Sequence, residues 1–376
     1  MFSLDEDVHY LNCAYMSPLM KSVEQAGYLG IAGKKTPYRI SPNDFFEAPE
    51  ALRVEFSNLI NAQDPLRIAI IPSVSYGMAN VTKSLSPARG KKIVVAGEQF
   101  PSNYYPWQRW VSENHGTLIA VSPPSVTEGR GKLWNEKILE SIDRETGVVA
   151  ISHVHWTDGT LFDLEAIREA CDANDALLVI DGTQSVGALP FDVQKIRPDA
   201  LVCAGYKWLM GPYSIGMAYY DEAFDNLQPI EENWINRKES EAFAGLINYK
   251  QEYQPGAPRF DVGERSNFIL VPMMLEALKQ INKWGVGSSQ EYAHDLFKGH
   301  VKTLKEAGFI IEDQAYRSSH LLGIRTVDRD MAKLTEKLQR NNIHVSTRGS
   351  AIRVSLSVFN TKEDVDAFTG VCMTVA

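Results

Sequence analysis

The sequence predicts an α/β protein built on a mostly parallel seven-stranded sheet flanked by helices, with a smaller α+β domain near the C-terminus. Between about residues 66 and 220, short β-type runs alternate with segments whose apolar residues recur at helical spacing. This alternation is typical of a parallel sheet wrapped by helices. After residue 221 it lapses, and a polar and aromatic segment leads to a second region with a different order of elements.

The elements follow one another in a regular order. In the larger region, strands are predicted at 67–71, 92–96, 118–121, 148–152, 177–181, 200–204 and 215–220, with helices at 135–144 and 163–174. In the second region, helices are predicted at 266–284, 288–307, 328–341 and from 361, with strands at 309–312, 320–325, near 345 and at 352–357. We therefore predict a large domain at 15–255 and a small domain formed by 1–14 and 256–376. The irregular segment 228–255 is interpreted as a functional connector, because long irregular stretches seldom persist as idle loops.

Composition narrows the class of function. The 376 residues are 44% hydrophobic and 23% charged, a globular mixture that suits two domains. A net charge of −9 without a long basic block argues against nucleic acid. No apolar stretch reaches the length of a membrane span, and the acidic start at 1–7 is unlike a secretory signal, so we expect a cytoplasmic location. The four cysteines are scattered without metal or disulfide spacing, which indicates reduced thiols and no metal site.

An aspartate and a lysine stand out in this framework. Asp181 ends an apolar run, and Lys207 follows the next predicted strand between two aromatic residues. In a parallel sheet, ligands bind beyond the carboxyl ends of the strands. A carboxylate there could hold a pyridinium nitrogen, and an amine in apolar surroundings could form an imine, which together are the needs of pyridoxal 5′-phosphate (PLP). Taken singly, a turn-capping aspartate and a solvated lysine are the ordinary interpretations.

Three further residues fit the same ligand. Ser75 lies between a strand and a helix, where free backbone donors and hydroxyls suit phosphate, although a simple helix cap is the commoner interpretation. Phe100 follows a strand and could stack on a flat ring or pack in the core. Gln184, three residues after Asp181, could reach the same ligand face or remain a solvated amide.

Together these residues resemble the class V aminotransferase family of PLP enzymes, which have the type I fold. That family includes cysteine desulfurases, selenocysteine lyases, kynureninases and isopenicillin N epimerase-like proteins. The central motifs, DGTQSVG at 181–187 and GYKWLMGP at 205–212, carry the resemblance at a specific spacing. It extends over nearly the whole chain, with supporting motifs at 10–14, 152–159 and 352–361.

The resemblance implies a role for each motif residue. Lys207 would form the Schiff base, Asp181 would partner the ring nitrogen, Gln184 would neighbour the ring oxygen and Phe100 would stack on the ring. The remaining implied contacts are Ser75, the Val74 backbone and Tyr206 with the phosphate, Trp156 near the ring oxygen, and Ser266 or Asn267 from the second subunit of a homodimer with active sites at the interface. Arg353 would bind the substrate carboxylate with its two-pronged donor set, and Asn12 and Tyr15 are further candidates for substrate binding.

Several departures limit the resemblance to individual members. Ala204 stands where cysteine desulfurases often carry a phosphate-binding serine, and Trp156 replaces a common asparagine. The stretch 342–353 contains no cysteine, whereas cysteine desulfurases carry a nucleophilic cysteine on a loop there. The motif HWTDG at 155–159 is similar to kynureninases, yet Gln184 stands where those enzymes usually have histidine.

The leading hypothesis is a PLP enzyme that acts on a small L-amino acid, with transamination as the favoured reaction. Lys207 would be displaced by the substrate amine and then shuttle the α-proton. The alternatives are C–S or C–C cleavage, as in selenocysteine lyases and kynureninases, and epimerisation. A retired PLP-fold binding protein is a non-enzymatic alternative, but such a protein has no need of Lys207, Asp181 and Gln184 together.

Overall fold

The computed structural model describes residues 1–126 and 128–374. The strands are β1 His9–Tyr10, β2 Ile68–Ile71, β3 Lys92–Ala96, β4 Thr117–Val121, β5 Thr146–Ser152, β6 Leu177–Asp181, β7 Ala200–Ala204, β8 Gly216–Tyr220, β9 Leu321–Ile324, β10 Ile343–His344, β11 Ser346–Arg348 and β12 Ala351–Ser355. The helices are α1 Lys21–Gly33, α2 Glu47–Leu59, α3 Val74–Ser84, α4 Tyr105–Asn114, α5 Arg130–Glu140, α6 Leu164–Ala173, α7 Val193–Ile196, α8 Leu270–Trp284, α9 Val286–Glu306, α10 Met331–Arg340 and α11 Lys362–Met373.

Seven strands form the large sheet, in the order β2-β8-β7-β6-β5-β3-β4. All neighbouring strands are parallel except where β8 pairs with β2 and β7. Alternate side chains of one strand enter two separate cores, as when Leu177 and Val179 pack on one face and Leu178 and Ile180 on the other. A strand buried on both faces reads as a continuous apolar run, which is why these strands were predictable. The predicted mostly parallel seven-stranded sheet is confirmed.

A smaller structure forms around the C-terminal part of the chain. Strands β9, β12 and β11 make an antiparallel sheet, and β1 pairs with β10 in a separate parallel pair. Helices α9, α10 and α11 pack with these strands in their own apolar core. Helix α8, which the predicted boundary at 255 assigns to the small domain, instead contributes to the core of the large sheet and packs on α1 and α2. The division at 15–255 stays a prediction.

Three predicted elements differ most from those observed. Helix α5 begins at Arg130 rather than 135, because Gly129 turns the chain with a φ of 61° just before it. Helix α8 begins at Leu270 rather than 266, since the Asn267 carboxamide oxygen accepts hydrogen bonds from the Ile269 and Leu270 amides. The strand expected at 309–312 is reduced to a single bridge between Ile310 and Arg325.

A buried ion pair holds β2, whose carboxyl end leads into the site. Arg53 of α2 and Asp261 are both fully buried and hydrogen-bonded to each other. Asp261 also accepts the backbone N–H of Ile70 at 2.7 Å, so one carboxylate ties the strand to the helix behind it. Within residues 1–126 and 128–374, no helix combines the length and apolar character that crossing a bilayer requires.

Changing Asp261→Asn should lower the free energy of unfolding by about 3 kcal/mol, because the buried Arg53 loses its fully buried carboxylate partner and keeps only its pairing with the half-exposed Glu50. Urea unfolding followed by circular dichroism measures the loss. Glu336→Gln is the control, since Glu336 pairs with Arg340 on an exposed surface and its loss should leave the unfolding midpoint almost unchanged. Equal midpoints for Asp261→Asn and the wild type would contradict the assigned role of the ion pair.

Candidate active site

One cavity of about 300 Å³ lies at the carboxyl edge of the large sheet. Loops that follow β2, β3, β5, β6 and β7 surround it, as expected for an open parallel sheet. The residues predicted from the sequence that line it are Val74, Ser75, Phe100, Trp156, Asp181, Gln184, Tyr206 and Lys207. The topology thus gathers side chains that are separated by more than 100 positions in the chain.

Lys207 lies three residues beyond β7 and is only 6% exposed. Its Nζ is 5.3 Å from the centroid of the Phe100 ring and 5.5 Å from that of Tyr206. Burial lowers the pKa of this amine to about 8, with smaller contributions in the same direction from the charges of Arg353 and Arg348 and an opposing one from Asp181. A larger fraction of the amine is therefore neutral and nucleophilic near neutral pH than in an exposed lysine.

Asp181 ends β6, where it lies opposite Ser152 of β5. Its Oδ1 accepts the backbone N–H of Thr183 at 3.0 Å. Burial raises the pKa of the carboxyl group, although the hydrogen bonds from Thr183 and the charge of Lys207 oppose the shift. The Ser152 hydroxyl is also buried, and it has no hydrogen-bond partner within the described residues. A buried acid and an unpaired hydroxyl on adjacent strands fit a polar ligand between them.

The start of α3 presents hydroxyl groups and free backbone amides to the cavity. Ser73 is the helix cap, because its Oγ accepts the Tyr76 N–H at 3.2 Å, whereas Ser75 is the second helical residue. The two hydroxyl groups are 3.0 Å apart, and both residues line the cavity. This arrangement suits a phosphate group. Sequence reasoning missed Ser73, although a serine directly before the apolar helical pattern was a readable signal.

Gln184 is held by hydrogen bonds at both ends of its amide. Its Nε2 donates to the Ala14 carbonyl at 3.1 Å, and its Oε1 accepts from Trp208 Nε1 at 2.8 Å. The Trp208 ring packs edge-on against His320, with centroids 4.5 Å apart. Gln184 lines the cavity, and its amide has one more N–H than the bond to Ala14 uses, so a donor is available to a ligand there.

Phe100 and Trp156 form an aromatic wall. Their ring centroids are 5.4 Å apart in an edge-to-face arrangement, and Trp156 Nε1 donates to the Glu98 carbonyl at 2.7 Å. Gln99, which the sequence reasoning passed over, fixes this loop by donating to the Ala150 carbonyl and accepting from the Ser152 amide. The wall is therefore attached to the end of β5.

Arg353 on β12 is almost fully buried beside Trp156, and as far as the described residues show it does not itself line the cavity. One of its nitrogens, Nη1, donates to the Trp156 carbonyl at 2.8 Å, while Nε and Nη2 have no partner in the described part of the chain. Burial lowers the pKa of its guanidinium group to about 9, and the charge of Arg348 adds to the shift. Arg348 was not singled out from the sequence, yet its guanidinium carbon lies 5.6 Å from the Trp156 ring centroid.

The structure does not bring every predicted residue to the cavity. The Asn12 side chain accepts a hydrogen bond from the Ser346 hydroxyl at 2.8 Å, and Tyr15 is more than half exposed. The Ser266 hydroxyl donates to the Phe45 carbonyl, and the Asn267 side chain accepts the Leu270 amide at the start of α8. None of these four lines the cavity of its own chain as far as the described residues show. Their binding roles stay predictions.

The four cysteines contribute no accessible thiol. All of them are free and buried, and burial raises the pKa of Cys13 to about 12 even though Lys207 and Arg353 are nearby. Within the part of the chain that the structure describes, no group of three or more histidine, cysteine, aspartate or glutamate side chains is arranged to hold a metal ion.

The amino-acid sequence is similar to those of several named proteins over most of its length. The chain is 28% identical over 321 residues to the “Uncharacterized aminotransferase YcbU” of Bacillus subtilis, a match covering 85% of this chain and 81% of the relative. It is 25% identical over 311 residues to a “Probable cysteine desulfurase” of Halalkalibacterium halodurans, covering 78% and 72%. It is also 25% identical over 238 residues to isopenicillin N epimerase of Streptomyces clavuligerus, covering 61% and 58%.

Solved structures share the fold at low sequence identity. A complex of the cystine C–S lyase C-DES with its reaction product cysteine persulfide has a TM-score of 0.88 and 18% identity, covering 99% of this chain and 98% of that one. A C-DES mutant with glycine covalently linked to its PLP cofactor has a TM-score of 0.87 and 17% identity, covering 99% and 97%. The cysteine desulfurase of Thermococcus onnurineus has a TM-score of 0.79 and 21% identity, covering 99% and 98%. The predicted type I fold is confirmed.

The family model described as Aminotransferase class-V matches residues 41–368, which is most of the chain. That range contains the aspartate, the lysine and the cavity around them. The predicted family and cofactor are confirmed. The chain belongs to the class V aminotransferase family, and it is a PLP-dependent enzyme.

Proposed function

We propose that this protein uses PLP to transaminate a small L-amino acid. The observation that carries the proposal is the placement of Lys207 and Asp181, both buried, on the wall of one cavity. The cavity is at the small end of the range typical for ligand sites, which favours a small substrate beside the cofactor. Bound PLP supplies an electron sink for negative charge that develops at the substrate α-carbon.

Each side chain has a distinct task in this proposal. Lys207 would hold the cofactor through its Nζ, and the same amine would move the proton of the substrate α-carbon. Asp181 keeps the ring nitrogen protonated by offering it a buried carboxylate. Ser73, Ser75 and the first amides of α3 bind the phosphate, and Phe100 excludes water from the ring face.

Arg353 is proposed to bind the substrate α-carboxylate. Its Nε and Nη2 are the unpaired pair of donors described above, and a guanidinium group offers such donors in one plane. The Trp156 carbonyl fixes the third nitrogen, so the fork is held in one orientation before the substrate arrives. This preorganisation limits the entropy lost on binding.

Cleavage at the substrate side chain is the second candidate. It is favoured by the similar structure described as a cystine C–S lyase and by the relative named as a probable cysteine desulfurase. Desulfuration through a mobile thiol is disfavoured, because 342–353 contains no cysteine and all four cysteines are buried. Cleavage that releases its product directly to solvent needs no such thiol.

We further propose a homodimer in which Ser266 or Asn267 completes the partner's cofactor site. Both residues lie outside the cavity of their own chain, and Asn267 is exposed at the start of α8. Sedimentation of the PLP-loaded protein should give twice the mass of one chain. A monomer that binds PLP fully would contradict the proposal.

Lys207 should titrate near pH 8 in the cofactor-free protein. Because its pKa is lowered from 10.5 to about 8, its neutral and reactive fraction should rise as pH increases through 8. Trace acylation across a pH series, with peptides quantified by mass spectrometry, measures the midpoint. Lys207→Ala is the control that removes the labelled position. A midpoint above 10 would show that the amine is not desolvated as described.

Product analysis separates transamination from cleavage. We expect the PLP-loaded protein to convert an L-amino acid to its 2-oxo acid only when a 2-oxo acid acceptor is present. A strict dependence on the acceptor supports transamination, whereas pyruvate, alanine or sulfide released without an acceptor would select cleavage. Amino acids are screened first by the shift they cause in the cofactor absorbance, and products are identified by mass.

Two variants control that experiment. In Lys207→Ala, either activity should fall by at least about 100-fold, because the proton-transfer group is lost, while PLP stays bound without its covalent link. Lys302→Ala removes an exposed lysine on α9 and should leave turnover unchanged. Turnover of Lys207→Ala close to the wild type would overturn the assignment of Lys207.

A further inference from the structure

Arg348 and Arg353 form a pair on one face of the hairpin made by β11 and β12. Ser346 lies directly opposite Arg353 in this antiparallel pairing, and Arg348 lies two residues beyond Ser346. Side chains two positions apart point to the same face of a strand, so the two arginines are diagonal neighbours. Both reach Trp156, since Arg353 donates to its carbonyl and Arg348 lies against its ring.

Several guanidinium N–H donors of these two arginines have no hydrogen-bond acceptor in the described part of the chain. Nε and Nη2 of Arg353 and Nε of Arg348 are buried, and none has a hydrogen-bond partner in the described part of the chain. Among the ion pairs recorded for residues 1–126 and 128–374, neither arginine is paired with a carboxylate. Buried charged donors without partners cost free energy, so the pair is suited to an anion that arrives with a ligand.

The number of free donors exceeds what one carboxylate needs. The Nε and Nη2 of Arg353 match both oxygens of a single carboxylate, which is the group assigned to it above. The Nε of Arg348 then still lacks an acceptor. An acceptor on the substrate side chain would satisfy it.

The charges around the cavity also favour a ligand with more than one negative group. Arg348 and Arg353 both lower the pKa of Lys207, which places their charges within electrostatic reach of the reacting amine. Asp181 is the acidic side chain among the residues that line the cavity, with Lys207, Tyr206 and Tyr213 as the other titratable ones. The surroundings therefore favour anions over neutral ligands.

We propose that the substrate is a small L-amino acid with a second carboxylate on its side chain, bound through Arg348 while Arg353 holds the α-carboxylate. The proposal rests on the PLP-dependent amino-acid chemistry proposed above and names its substrate class. Trp156, which contacts both arginines, is itself part of the cavity wall.

Isosteric pairs of amino acids test this class. The PLP-loaded protein is titrated with L-aspartate against L-asparagine and with L-glutamate against L-glutamine, and the apparent Kd is read from the cofactor absorbance. In at least one pair the acidic member should bind roughly tenfold tighter or better, because it gains a charge-assisted hydrogen bond. Amides that bind as tightly as the acids in both pairs would overturn the proposal.

Arg348→Gln tests the residue. It should weaken binding of the acidic member roughly tenfold or more and leave the amide unaffected, while Arg348→Lys should retain part of the preference. Arg340→Gln on α10 is the matched control, because Arg340 is exposed and pairs with Glu336. An equal loss for acid and amide in Arg348→Gln would assign Arg348 a general structural role and overturn the proposal.

An unreactive ligand gives a second readout that does not depend on turnover. Calorimetry should show that glutarate binds the PLP-loaded wild type more tightly than butyrate, and that Arg348→Gln loses this difference. If amino acids shift the absorbance but glutarate shows no such dependence on Arg348, the substrate class is wrong and the proposed function stands. If no amino acid shifts the absorbance, the proposed function itself fails.

Discussion

Two buried groups of opposite type, Lys207 and Asp181, set the constraint on which the rest of the site depends. Burial lowers the pKa of the amine and raises that of the carboxyl group, so each is biased toward its neutral form. The described residues contain no ion pair between them that would relieve this cost. A cofactor that bonds to the amine and offers a protonated ring nitrogen to the carboxylate would remove both penalties at once.

The large sheet makes that arrangement possible. Its parallel strands bring the ends of β5, β6 and β7 to one edge, where Ser152, Asp181 and the loop to Lys207 are neighbours. Behind the edge, the Arg53–Asp261 pair and the Gln99 amide hold the surrounding loops by buried hydrogen bonds. Asp181 is thus the last residue of a buried strand and Lys207 follows another within three residues, a placement that favours preorganised chemistry.

The sequence was informative where local patterns determine structure. The large-sheet strands were predicted within two residues of their observed bounds, because strands buried on both faces are continuous apolar runs. Arg348 was not predicted as a site residue, because its position next to Arg353 depends on the register of the β11–β12 hairpin. The strand expected at 309–312 failed because a single bridge to Arg325 replaces a ladder there. Transamination and cleavage share one electron sink, so no residue in the motifs distinguishes them.

The segment just before α1 links the two sheets. It adds β1 to β10, pairs Asn12 with Ser355 of β12, and then presents the Ala14 carbonyl to Gln184 beside the cavity. A displacement of the small sheet would therefore act on the Gln184 amide at the cavity. If the hairpin arginines bind the substrate as proposed, a stretch of only six residues, 9–14, would connect that binding to the side of the cavity where Gln184 lies.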